Sequence, residues 1–340
     1  MSRVLLVAPT YMNLYEDIVI GLQKKGYEVQ YYPDKRIKGD PFNKVSGGEK
    51  KMSIDDFLSL LEAMWSEILA KDPFHCLYDY FFVVDGLSVP PALFNHLRKI
   101  NPNIVTCNYL YDRVKGVYEL NRNFPYYDRV FSFDQKDCED FNLSFLPIYW
   151  TPIERKQQDG YDVFGFGAYD ELRLKTFNRI RRIASNNNLS SYIKIYSNYS
   201  NLFSFVLRNT AKAVIGRDCL PIPDILSGLF TNKSLSPSIF KQMIASSDTI
   251  VDTNHPFQDG LTARFMWALG AEKKIITTNA SVRDYAFFSK EQFFVLEDNW
   301  QQLPEFLYSE FKMSGSIRSQ VAQYRIDRWL DTVLLNNISF

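Results

Sequence analysis

The feature that most restricts this chain is a rhythm. Short apolar runs rich in β-formers alternate with helical stretches, twice over, and a polar segment divides the two series. In the first half, strands are expected at 3–8, 28–32, 80–85, 104–108 and 129–133. Helices fit between them. Residues 17–25 end at Gly26, a residue type that readily takes the left-handed conformation after a last helical turn. Residues 53–71 open with Ser53 as a cap and with Asp55 and Asp56 in the first turn. Residues 90–99 begin with two prolines, which a helix tolerates only at its start. The second series has strands expected at 162–167, 192–197, 213–216, 249–252, 274–278 and 293–296. Between the series lies 151–160, TPIERKQQDG, with Pro, Gly and no apolar period, which reads as a linker.

Alternation of this kind produces parallel α/β layers, and 340 residues suit two domains of about 150 each. The expected architecture is two Rossmann-like α/β domains, 1–150 and 161–315, facing a cleft at the carboxyl ends of their strands. Residues 316–340 carry Val321, Tyr324, Trp329 and Val333 at helical spacing, and this final helix is expected to pack back on the first domain.

Bulk properties exclude several functions. Lys+Arg and Asp+Glu are equal at 39 each, so no overall field draws nucleic acid. Cys76, Cys107, Cys138 and Cys219 are far apart and only three histidines are present, which argues against a disulfide framework or a zinc site and for a reducing compartment. The first apolar run, about six residues before Pro9, is short for a signal-peptide core and reads as a strand. No run approaches the ~18 apolar residues of a membrane span. A cytoplasmic protein is expected, with room for attachment to the inner face of a membrane. Aromatic residues reach 16%. Tyr126 and Tyr127, and the aromatics of 78–82, read as rings of a buried sheet rather than sugar platforms.

Chemistry concentrates in 252–279, DTNHPFQDGLTARFMWALGAEKKIITTN. A buried strand ending at Asp252 runs into a polar loop with His255, Gln258 and Asp259, after which Gly260 is expected to open a helix with Thr262 and Arg264 in its first turn. A polar loop on the carboxyl edge of a parallel strand, feeding a helix start, suits an anion, because first-turn N–H groups lack intrahelical partners. Arg264 adds a forked donor matched to phosphate oxygens. Gly165 and Gly167 allow close backbone approach at the end of an earlier strand, and Arg173, just inside the helix that follows, reads by itself as part of a solvated face. In the first half Asp85 and Asp112 follow apolar strands and are candidate bases, whereas Asp134 reads as a helix cap.

The segment HPFQDGLTARFMWALGAEKKIITTN resembles a stretch of bacterial polysaccharide-biosynthesis glycosyltransferases with the GT-B fold, which often read close to HPxQxGLTxRxxEALGxxKKLITTN. YLYDR at 109–113, FSFDQKDCEDFNLSFLPIY at 131–149 and YDVFGFGAYDELR at 161–173 resemble the same family, in order, from about Leu5 to the final helix. The resemblance implies transfer of a sugar from a nucleotide-sugar donor to a glycan or lipid-linked acceptor during capsule or lipopolysaccharide synthesis. The donor would lie on the second domain, near Leu261 and the residues named above, with Arg173, six residues after Gly167, placed like a basic residue that meets the donor phosphates in many such enzymes, and the acceptor on the first. No DxD-like metal motif is well placed, since Asp55 and Asp56 suit a helix start, so leaving-group stabilisation by arginine and helix dipole without a metal is expected, with the nucleotide-sugar as substrate and no cofactor. One position departs: Trp267 stands where the family has a Glu that commonly contacts the donor ribose, and an indole accepts no hydrogen bond. That keeps open a non-catalytic sugar-nucleotide-binding partner subunit, beside a nucleotide-sugar epimerase or phosphorylase on the same fold.

Overall fold

A computed structural model of the chain describes residues 1–44, 48–116, 118–154, 160–197, 202–216, 228–254 and 259–335. They form two compact units: Met1–Thr151 with Phe257–Leu261 and Ala322–Phe340, and Pro152–Pro256 with Thr262–Val321.

The first unit holds a six-stranded parallel sheet. Its strands are β1 (Arg3–Ala8), β2 (Glu28–Pro33), β3 (Tyr80–Val84), β4 (Val105–Leu110), β5 (Arg129–Ser132) and β6 (Ser144–Phe145), in the order β2-β1-β3-β4-β5-β6. Val4 to Ala8 of β1 and Phe81 to Val84 of β3 are wholly inaccessible, as expected for central strands covered on both faces. The helix Ile54–Leu69 begins where Ser53 accepts a hydrogen bond from the Asp56 amide. The helix Ile326–Leu335 belongs to this core. Trp329 donates from Nε1 to the Pro147 carbonyl at 3.1 Å, and its ring meets those of Tyr109 and Tyr149 edge-on at 4.7 and 4.9 Å.

The second unit has its own parallel sheet: β7 (Val163–Ala168), β8 (Ser191–Tyr196), β9 (Phe230–Thr231), β10 (Thr249–Asp252), β11 (Lys274–Thr277) and β12 (Phe293–Val295), in the order β12-β11-β10-β7-β8-β9. Its core joins Val163, Ile193, Val251 and Ile276 of the strands to Leu174, Phe177 and Ile180 of the helix Glu171–Asn186.

Two elements differ from the sequence pattern. The strand expected at 213–216 is instead the end of the helix Leu202–Val214 and the turn after it, and the strand beside β8 is Phe230–Thr231. A four-residue apolar run fits strand or helix equally, and the preceding Ala211-Lys212-Ala213 favours helix. The single final helix expected within 316–340 is two, Gly315–Val321 and Ile326–Leu335. The break has a cause in the backbone: Trp150 N–H donates to the Tyr324 carbonyl, and the Ile326 N–H donates to the Trp150 carbonyl, both at 3.0 Å. None of the described helices is long and apolar enough to cross a membrane.

Strand order also fixes where each unit can bind. The order in which the chain adds strands across each parallel sheet reverses between β1 and β3 in the first unit and between β7 and β10 in the second. At such switch points the loops leaving adjacent strands diverge to opposite faces and leave a crevice at the carboxyl ends.

Candidate functional site

In the second unit the switch point is organised by Asp252, the last residue of β10, which is 1% exposed. Its Oδ1 accepts from Thr262 Oγ1 at 2.8 Å and lies 3.4 Å from Arg264 Nη1. Thr262 in turn caps the helix Ala263–Gly270, accepting from the Phe265 amide at 3.1 Å. One buried carboxylate thereby fixes both the helix start and its arginine. The Arg264 side chain is only 17% exposed, lies against the Phe240 ring, and has no hydrogen-bond partner at Nε or Nη1 among the described residues. A nearly buried guanidinium with unspent N–H groups beside a helix N-terminus is a strong anion donor.

Arg173 has a different arrangement. Its Nε donates to Thr253 Oγ1 at 2.7 Å, its Nη2 to the Thr253 carbonyl at 3.4 Å, and its Nη1 to the Ala168 carbonyl. It straps the end of β7 to the end of β10. Gly167 makes that possible, since a Cβ there would stand 2.9 Å from Arg173 Cδ and Nε. At Gly165 a Cβ would approach Val251 at 3.3 Å and Phe177 at 3.5 Å, so this glycine serves strand and helix packing. Leu261 is buried, and His255 and Gln258 lie outside the described residues.

Gly260 stands apart from the helix it was expected to open, because Thr262 is the cap. Residues 259–261 group with the first unit. There the amides of Asp259 and Gly260 donate to Asp134 Oδ2 at 3.0 and 3.4 Å, and Lys136 pairs with Asp259 at 2.5 Å. Asp134 is fully buried and also caps the helix Gln135–Phe141. A Cβ on Gly260 would stand 2.2 Å from Phe133 Cδ2, so only glycine fits.

The first unit's switch point is acidic. Asp85 follows β3 with φ +58°, is 8% exposed, and accepts from the Tyr111 amide at 2.8 Å. Burial, followed by the charge of Asp112, raises its carboxyl well above the usual range, against the pull of the Tyr111 amide. Asp112 follows β4. Protein atoms crowd its carboxyl and raise its pKa, yet the residue is exposed, and water reaching it screens the interaction. A third carboxylate was not singled out from the sequence. Asp34, just after β2, accepts from the amides of Gly86, Leu87 and Ser88 at 2.9, 2.8 and 2.8 Å and from Ser88 Oγ at 2.6 Å. Its position gave a signal, for it directly follows a strand at the sheet's carboxyl edge, as Asp85 does.

Trp267 is a core residue, 1% exposed, edge-on to Phe240 at 6.1 Å and under Lys241 Nζ at 4.9 Å, with no hydrogen-bond partner at Nε1. A separate cavity of about 480 Å³ lies beside β12, two strands from β10, and is lined by groups of both charges, including Arg283, Lys290, Glu305 and Glu310.

No protein-family model matches the sequence, and no curated protein matches it. Solved structures do. The N-terminal domain of Candida albicans trehalose-6-phosphate phosphatase aligns with a TM-score of 0.63 at 11% identity, over 99% of this chain and 96% of that one. The UDP-forming α,α-trehalose-phosphate synthase of Burkholderia vietnamiensis aligns at 0.58 and 12%, over 99% and 98%. A UDP-N-acetylglucosamine 2-epimerase aligns at 0.53 and 12%, over 98% and 95%. The fold is of the GT-B type. Coverage of almost the whole length of each chain shows that both sheets of the GT-B fold take part in the likeness, and at such identities it is the fold that is shared.

Proposed function

We propose that this chain is a nucleotide-sugar-dependent glycosyltransferase. In this reading the second unit binds the donor diphosphate at the start of the helix Ala263–Gly270, with Arg264 as its principal ligand. The observation that carries the reading is that Arg264, ion-paired with Asp252 in a nearly dry setting, has no hydrogen-bond partner at Nε or Nη1 among the described residues. As the bond from the anomeric carbon to the diphosphate breaks, negative charge grows on the leaving oxygen. A preorganised guanidinium and first-turn amides stabilise that charge more than they stabilise the bound donor. Arg173, Gly165 and Gly167 hold the ends of β7 and β10 in register beneath it.

The first unit supplies the acceptor side. The attacking hydroxyl gives its proton to Asp85, whose raised pKa makes it a better base at neutral pH than an ordinary carboxylate. Asp112 stands beside it as the second carboxylate of the pair. The acceptor class proposed is a glycan or lipid-linked glycan of surface polysaccharide synthesis, which places the work in the cytoplasm at the inner face of a membrane. No resident cofactor is needed for this chemistry.

Calorimetry with UDP-, GDP-, dTDP- and CMP-sugars tests the donor site, with binding expected for one nucleotide class and lost in Arg264→Ala. Nucleotide release with and without acceptor then distinguishes a transferase from a binding subunit. Product analysis distinguishes it from an epimerase, a reading favoured by one of the fold's relatives.

A further inference from the structure

Turn 85–88 is held more firmly than a link between a strand and a helix requires. Its three consecutive amides converge on the Asp34 carboxylate. Its carbonyls are held as well. Arg122 Nη2 donates to Gly86 O at 3.1 Å and also to Leu87 O, Trp65 Nε1 to Ser88 O at 2.7 Å, and Asn108 Nδ2 to Asp85 O at 3.4 Å. Just beyond, Asn123 Nδ2 donates to Val89 O at 2.7 Å. These side chains come from three elements of the first unit: the helix Ile54–Leu69, β4, and the segment Leu120–Tyr126 that carries both Arg122 and Asn123. What they hold is a pair of left-handed residues, Asp85 at φ +58° and Gly86 at +94°. A non-glycine residue keeps such a conformation only where its surroundings over-determine it.

We infer that Asp34 is a positioning residue for Asp85, its carboxylate filling the concave row of amides at 86, 87 and 88 and so fixing the direction of the Asp85 side chain. The inference rests on the reading of Asp85 as the base. Successive amides aimed at one point form an anion-binding concavity, and here the anion is built into the chain. Only a carboxylate accepts from three amides and a hydroxyl together without turning a donor toward any of them. Asp34 also brings a negative charge close to Asp85, which holds the Asp85 proton more tightly. The other titratable and charged groups around the turn are Asp112 and Tyr111 from the end of β4, and Arg122 and Tyr127 from the segment before β5.

The test follows the Asp85 carboxyl by ¹³C NMR in aspartate-labelled full-length protein, wild type and Asp34→Asn. In Asp34→Asn, Asp85 is expected to titrate at lower pH. In Asp34→Ala, amide exchange at 86–88 is expected to quicken about tenfold or more, and sodium formate, a free carboxylate of the right size, should restore protection and raise the melting temperature beyond sodium chloride at equal ionic strength. An Asp85 titration unchanged in Asp34→Asn overturns the inference, as does chloride matching formate in Asp34→Ala. If the alanine variant does not fold, the asparagine titration decides alone. Nucleotide release by Asp85→Asn is measured separately. Full turnover there removes Asp85 as the base while a shifted titration still upholds the link from Asp34 to Asp85.

Discussion

At the switch point of the second sheet, Arg173 and Arg264 stand with the hydroxyls of Thr253 and Thr262 around the end of β10, where Asp252 ties Thr262 to Arg264. At the switch point of the first, Asp34, Asp85 and Asp112 gather at the ends of β2, β3 and β4, and Arg122 braces the turn between them. Backbone topology is nearly the same in both places. Chemistry is opposite, because each strand end receives a different side chain. A parallel sheet supplies a crevice at a defined location, and the residues one or two positions past each strand decide whether an anion or a proton is handled there. The internal bonding differs as well. Among the described residues, the second site leaves its best donor, Arg264, without hydrogen-bond partners at two nitrogens, whereas the first saturates Asp34 and strains Asp85. The former pattern suits ligand capture, and the latter suits holding a reactive group in place.

The largest expected effect breaks the comparison on its acidic side. Asp85→Asn should lower kcat for nucleotide release in the presence of acceptor by ~10³-fold, the scale of a lost general base. In wild type the rate should climb as pH rises through the elevated pKa of Asp85, and this limb should vanish in the variant. Stability should move the other way. Because the folded-state pKa lies above the unfolded value, the contribution of Asp85 is fully present below the unfolded pKa and is lost as pH rises through the folded one. Asp85→Asn should therefore melt higher than wild type at neutral and alkaline pH, with the difference shrinking toward acid. A variant that is less stable at every pH would contradict the direction of the shift.

On the cationic side, Arg264→Ala should cost ~10²-fold in transfer and most of the donor affinity, while its melting temperature stays close to wild type. Arg264→Lys should recover little, because an ammonium group lacks the planar fork. Equal donor affinity in all three proteins would remove Arg264 from the site. Gly260→Ala addresses stability alone. Its Cβ would meet the Phe133 ring at 2.2 Å and the Phe133 carbonyl at 2.6 Å, and overpacking of this kind should cost ~1–3 kcal/mol in denaturant unfolding.

How far the sequence speaks for the molecule depends on the range of the interactions concerned. Strand β1 and strand β10 are legible to the residue, because each is a short run of β-formers with a sharp end, β1 at Pro9 and β10 at the polar Asp252. The helix starts at Ser53 and Asp134 are legible too, since a cap is a contact between residues two or three apart. Legibility fails where a distant residue decides. Arg173 reads as a phosphate ligand until Thr253, eighty positions on, takes its guanidinium. Gly260 reads as a helix start until Asp134 accepts its amide. Asp34 looks like any acid after a strand, because its four donors lie more than fifty residues away. The break in the final helix likewise depends on Trp150, which no local pattern around 322–325 betrays.

The smallest effect expected distinguishes a cap that serves the fold from one that serves a ligand as well. Ser53 and Thr262 each accept from the amide three residues on, at 3.1 Å. Replacing either by alanine should cost ~1 kcal/mol of stability. Thr262, however, also donates to Asp252, the carboxylate that Arg264 faces. Thr262→Ala leaves Asp252 with one fewer donor and freer to draw Arg264 toward itself, away from an incoming diphosphate. Donor affinity should fall several-fold in Thr262→Ala, stay put in Ser53→Ala, and return in Thr262→Ser, which keeps both bonds. If the two alanine variants bind donor alike, the network around Asp252 is only structural, and the two switch points differ less than their charges suggest.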